Sequence, residues 1–185
     1  MIPNPKKNNF AFIDSQNVNL GVQALGWKLD WRRFRVYLRD KYVINKAFLF
    51  IGFKAGNESL YSFLQDAGYI CIFKPTLDLP NGQVKGNVDA ELVLYTMIEL
   101  NNFYQALIVS GDGDFFCLAK YLLKEKKLLK VLAPDEDSYS SLFDLLGDEN
   151  HKIIDTINLL RDKVEYRKNR EKENKGKGLS SGPTP

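Results

Sequence analysis

Short apolar runs alternate with stretches of helical spacing from one end of the chain to the other. Phe10–Ile13, Ala47–Ile51, Tyr69–Phe73, Ala106–Val109 and Leu128–Leu132 are each four or five residues long, which suits strands and is too short for buried helices. Runs apolar on both faces belong in a parallel sheet covered on each side by helices. Between them, Trp31, Phe34, Leu38 and Tyr42 keep helical spacing behind an Asp30 cap, and Leu60, Phe63, Leu64 and Ala67 do so before a Gly68 stop. A third helix is predicted from about Asp89 to Leu100, a fourth from about Asp114 to Lys126, and one or two more after Pro134. The aromatic and leucine stripes on these segments read as core.

Alternating strands and helices joined by right-handed crossovers predict an α/β fold with three layers, doubly wound around a mainly parallel five-stranded sheet. In the order 3-2-1-4-5, the topological switch falls between Phe10–Ile13 and Ala106–Val109, and ligands bind beyond the carboxyl ends of those strands. The long connection from Lys74 to Val88 contains Pro75, Pro80, Asn81-Gly82 and Gly86. Such a connection at the ligand edge reads as a substrate-facing flap or hairpin.

Length and composition narrow the picture further. A chain of 185 residues, 44% hydrophobic, suits one sizeable core, here assigned to residues 8–160, followed by a basic, partly helical to disordered tail over 161–185. The net charge is +3, but from Arg161 onward eight Lys/Arg face four Asp/Glu, so the body is near neutral. No membrane-span-length apolar stretch occurs, and Met1–Lys7 lacks the apolar region of a signal peptide, so a cytoplasmic protein without membrane partners is expected. Cys71 and Cys117 lack the spacing of a redox or zinc motif and read as buried thiols. His151 is the only histidine and reads as a loop residue, which removes histidine-pair ribonuclease chemistry and histidine-rich metal sites. Any chemistry must run on carboxylates.

Three separated segments deliver acids to the predicted switch point. Asp14 leaves the first strand, Asp112 and Asp114 leave the fourth in Ser110-Gly-Asp-Gly-Asp-Phe115, and Asp89 opens the third helix. The glycines are expected to let the backbone turn sharply and to admit a ligand closely, with both loop acids directed to one side. Singly, each aspartate reads as a helix cap or turn former. Together, four carboxylates within a few ångströms repel one another and call for a cation. Oxygen-only donors select Mg²⁺ or Mn²⁺ over Zn²⁺. Lys85 is the one cation within these motifs and a candidate phosphate contact, with Lys54 and Lys74 as weaker ones. The spacing of a calcium loop, a Walker phosphate loop and a dinucleotide fingerprint are all missing.

Ile13-Asp14-Ser15-Gln16-Asn17, Lys85-Gly86-Asn87-Val88-Asp89 and Ser110-Gly111-Asp112-Gly113-Asp114-Phe115 resemble, in order, the three motifs of the NYN domain, a PIN-like nuclease family, in its bacterial LabA-like branch. The resemblance spans roughly Phe10 to Ala133. It implies a metal-dependent ribonuclease with Asp14, Asp89, Asp112 and Asp114 as ligands, Asn17 as a further catalytic member and Ser110 beside the substrate, supporting the last acidic loop. The expected partner is single-stranded RNA, and a homodimer is left open. The competing expectation is a non-catalytic RNA-binding or regulatory module that keeps the fold.

Overall fold

The computed structural model describes residues 8–75, 77–78, 84–85, 88–147 and 153–167. Its strands are β1 (Asn9–Asp14), β2 (Ile44–Phe53), β3 (Ile70–Pro75), a small pair β4 (Leu77–Asp78) and β5 (Val84–Lys85), then β6 (Ala106–Val109), β7 (Leu128–Ala133) and β8 (Ile154–Thr156). Six of them form one parallel sheet in the order β3-β2-β1-β6-β7-β8. The predicted doubly wound order is therefore present, with a sixth strand where five were expected. That strand hid because it is three residues long with Asp155 at its centre. Asp155 accepts a hydrogen bond from the Tyr42 hydroxyl (2.9 Å) and pairs with Lys130 (3.3 Å), which fastens the added edge.

The helices are α1 (Ser15–Ala24), α2 (Trp31–Tyr42), α3 (Glu58–Asp66), α4 (Asp89–Ile98), α5 (Phe116–Lys124) and the short α6 (Arg161–Val164). Asp30 caps α2 as the pattern predicts, accepting the Arg32 and Arg33 amides, and Gly68 follows α3 with φ of +94°, a conformation that suits glycine. The extra helices expected after Pro134 are mostly 3-10 turns, at Ser141–Leu146 and Asn158–Leu160, before α6.

Period-two alternation along β1 sorts the core into two layers. Ala11 and Ile13 face Val18 and Val22 of α1, Phe34 and Leu38 of α2, Leu64 of α3 and Val164 of α6. Phe10 and Phe12 face the other layer, with Phe48, Phe50, Leu92 of α4, Leu122 of α5 and Phe143. Phe12 stacks on Phe48 at 5.3 Å and meets Phe103 edge-on at 5.7 Å. Each such fully buried side chain contributes about 1.5–3 kcal/mol through apolar burial, so β1 is held firmly from both sides. The carboxyl end of β1 is thereby fixed for whatever it carries.

Beyond Arg161 the chain still packs on the body. Val164 is fully buried, its carbonyl accepts the Asp30 amide (2.8 Å), and Glu165 bridges to Leu29. His151 and the tail from residue 168 lie outside the described residues. Cys71 and Cys117 are both free; Cys117 is exposed rather than buried, and burial pushes the Cys71 thiol up to about 11. Among the described residues, no helix is long and apolar enough to cross a membrane.

Candidate metal centre at the switch point

The parallel ladder sets β1 and β6 side by side, Phe10 opposite Ala106 and Ile13 opposite Val109, so both strands release their next residues at the same edge. Asp14 comes first. Its Oδ1 accepts the backbone N–H of Gln16 (3.1 Å) and Asn17 (3.0 Å), capping α1. On the neighbouring strand, buried Ser110 accepts the Asp112 amide on its Oγ (3.2 Å), and Asp112 Oδ1 accepts the Asp114 amide (3.0 Å), which starts the 3-10 turn Gly113–Phe115. Asn17 ties the two strands' exits together, its Oδ1 accepting the Gly111 amide at 2.9 Å.

Asp89 arrives from a third direction as the first residue of α4, whose cap position holds Val88 and makes no side-chain bond. Asp89 and Glu91 place negative charge in that first turn, where the helix dipole favours it. Carboxylate oxygens of Asp89, Asp112 and Asp114 all lie within 4.8 Å of one another. Three of the four predicted acids thus converge from separate segments. Asp14 is not one of that trio; its Oδ1 accepts the amides at the start of α1.

It nonetheless feels the trio. Asp14 is 5% exposed, and burial raises its pKa above the ordinary 3.8, against the lowering effect of the Asn17 and Gln16 amides; the negative fields of Asp89 and Asp112 raise it further. The sign of the consequence is fixed by linkage. Between the unfolded value and the raised folded value, the native state holds more protons than the unfolded chain, so metal-free stability falls as pH rises through that window. Asparagine caps a helix about as well as aspartate. Thermal midpoints in EDTA from about pH 4 to about pH 7 should therefore decline more steeply for the wild type than for Asp14→Asn. Parallel profiles would contradict the burial and repulsion invoked here.

Ser110 is fully buried, and its Oγ supports the acidic loop. Asn17 is half-buried, and its side-chain carbonyl is taken up by the Gly111 amide. Neither Gly111 nor Gly113 is among the residues of positive φ; what they permit is close approach of the chain itself, not a sharp turn. A Cβ on Gly113 would fall 2.5 Å from Ser140 Oγ, and one on Gly111 3.3 Å from Pro134 Cδ. Lys85 lies on β5, paired antiparallel with β4 as the hairpin expectation required, but its side chain is outside the described part. Lys74 is engaged by Glu91 at 2.9 Å.

The 134–142 segment is the site component that pattern reading missed. Ser140 donates its amide to the Gly111 carbonyl (2.9 Å), and Tyr139 backs the same loop. Asp135-Glu-Asp-Ser-Tyr-Ser-Ser141 looks like any polar connection; the only hint of a close neighbour was the pair of glycines opposite.

The sequence profile of the NYN domain matches residues 10–146 of this chain. The chain belongs to the NYN domain family. All three acid-bearing segments fall inside the NYN range, which runs from β1 to the Ser141–Leu146 turn, and the fold is nuclease-like. A solved structure of similar fold is that of a protein of unknown function from Vibrio parahaemolyticus RIMD 2210633, with a TM-score of 0.67 and 19% identity over 89% of this chain and 100% of that one. At that identity the likeness speaks for the fold. No curated protein matches the chain.

Proposed function

We propose that this NYN protein is a metal-dependent endoribonuclease of the LabA-like branch that hydrolyses phosphodiester bonds of single-stranded RNA in the cytoplasm. The observation that carries the reading is the convergence of Asp89, Asp112 and Asp114 within 4.8 Å, at the edge where a doubly wound sheet binds ligands. The donor set fits the cation. It offers carboxylate oxygen and no nitrogen or sulfur, the chemistry of Mg²⁺ or Mn²⁺. These three residues would hold the ion, with Asp14 at the margin of the site. When bound, such an ion acidifies water and offsets charge at the scissile phosphate.

The remaining contributions come from the chain. Asn17 and Ser110 fix the loop that aims Asp112 and Asp114. Asp14 sets the direction of α1 and supplies a nearby negative field that favours cation uptake. Cleavage of this type leaves a 5′-phosphate and a 3′-hydroxyl. Because the body is near neutral apart from its basic end, binding should depend on salt less steeply than in proteins that neutralise many phosphates.

Incubating the full chain with an end-labelled single-stranded RNA and Mn²⁺ should give shorter products carrying 5′-phosphates, and EDTA should suppress them. RNA left intact at stoichiometric enzyme, with tight metal-independent retention in a filter-binding assay, would make the protein an RNA-binding module instead.

A further inference from the structure

On the side of Asp14 away from α4, a cavity of about 380 Å³ opens between the start of α1, the end of β2 and the start of α3. Its wall adjoins Asp14 at the margin of the acidic site, since Ser15 and Gln16 line it and the Gln16 amide donates to Asp14. We propose that this cavity is a nucleotide subsite, taking one base and its phosphate from the RNA strand next to the bond that is cut. The inference rests on reading the acids as the cleavage site.

Four features favour a nucleotide over other occupants. The volume lies within the range of about 300–1,000 Å³ typical of small-ligand pockets, too small for a folded partner. Among the described residues the lining carries one cation, Lys54, and no acid, in contrast to the carboxylates next door. Among the described residues Lys54 has no ion-pair partner, whereas Lys74 at the end of the adjacent strand is engaged by Glu91. An ammonium beside a wall whose described residues carry no carboxylate suits a phosphate.

The other features suit a base. Gln16 and Asn57 each present an amide with donor and acceptor capacity, and neither side chain makes a hydrogen bond among the described residues. Asn57 occupies the cap position of α3 without capping it, so the amide remains available. Trp31 and Tyr61, with Leu60, line the same space, and aromatic walls beside amides are how single-stranded RNA bases are held.

The test uses the full-length protein in EDTA, so that binding is read without cleavage. Each of the four ribonucleoside 5′-monophosphates is titrated in, with amide shifts and Trp31 fluorescence as readouts and inorganic phosphate as control. Saturable shifts at Gly52, Asn57 and Leu60 are expected from at least one nucleotide. Lys54→Gln and Asn57→Leu should each weaken that binding about tenfold, the scale of one charge-assisted or buried hydrogen bond. Neither side chain makes a hydrogen bond or ion pair among the described residues, and circular dichroism checks the fold. With short RNA and Mn²⁺, the same variants should raise KM while kcat holds. Inorganic phosphate reproducing the shifts at equal affinity would overturn the base-binding claim. Cleavage of RNA without nucleotide shifts in this cavity overturns the subsite alone; nucleotide binding here without any cleavage overturns the nuclease reading alone.

Discussion

Asp112→Asn is expected to abolish metal-dependent cleavage while leaving the metal-free protein as stable as the wild type or more so. The substitution nearly preserves volume and keeps an oxygen for the Asp114 amide that Asp112 Oδ1 now accepts at 3.0 Å. Asparagine is as good a cap as aspartate, whereas alanine at such a position costs about 1 kcal/mol. What disappears is one negative charge among Asp89, Asp114 and the nearby Asp14. Removing it relieves repulsion in the empty site and takes away a cation ligand. In the wild type, Mn²⁺ at a hundred times its Kd should stabilise the fold by about 2.7 kcal/mol, and in Asp112→Asn that increment should shrink severely. Thermal melts in EDTA and in Mn²⁺, run beside Asp14→Asn and Asp89→Asn, separate the cases. If all three variants unfold in EDTA, the aspartates are structural caps and the metal reading loses its basis.

Gly113→Ala is expected to damage the site through packing, with no change of charge. The added Cβ would lie 2.5 Å from Ser140 Oγ and 2.9 Å from Ser140 Cβ, closer than real carbon contacts allow, so the acidic loop or the 140 segment must move. Overpacking of this kind costs about 1–3 kcal/mol, and a displacement of about 1 Å at a catalytic group can cost 100-fold in rate. Compensation is the informative part. Ser140→Gly removes both clashing atoms and leaves Leu142 Cδ1, at 3.4 Å, as the next contact. The double variant should therefore recover most of the lost stability and cleavage, while Ser140→Gly alone gives up only its 3.4 Å bond to the Leu142 amide. Additive losses in the double variant would mean that Gly113 is required for some other reason.

How legible all this was in the residues depended on whether local pattern and tertiary demand agreed. The five apolar runs became β1, β2, β3, β6 and β7 because strands buried on both faces must be apolar throughout. β8 escaped since its half-buried edge needs only Ile154 and Thr156, with Asp155 serving Tyr42 and Lys130. Helix α1 escaped for a related reason. Ser15-Gln-Asn-Val-Asn-Leu-Gly-Val-Gln-Ala24 buries only Ser15, Val18 and Val22, too thin a stripe to register, and its amides face the site and the neighbouring cavity. The acids were legible because three segments had to share one edge once the strand order was set. Asp14's capping bonds were not, because a cap and a ligand use the same residue type and Asp112 shows that one aspartate can cap a turn and still face the other acids. Lys54 likewise stood out only weakly as a strand-end lysine until α3 closed a cavity around it.

The most direct measurement is the rate of RNA cleavage against Mn²⁺ concentration, taken together with the Mn²⁺ binding isotherm of the same preparation. The account predicts one saturable uptake event whose midpoint coincides with the midpoint of cleavage, and the loss of both in Asp112→Asn. Mn²⁺ uptake unchanged in that variant, or cleavage that persists in EDTA, would contradict it.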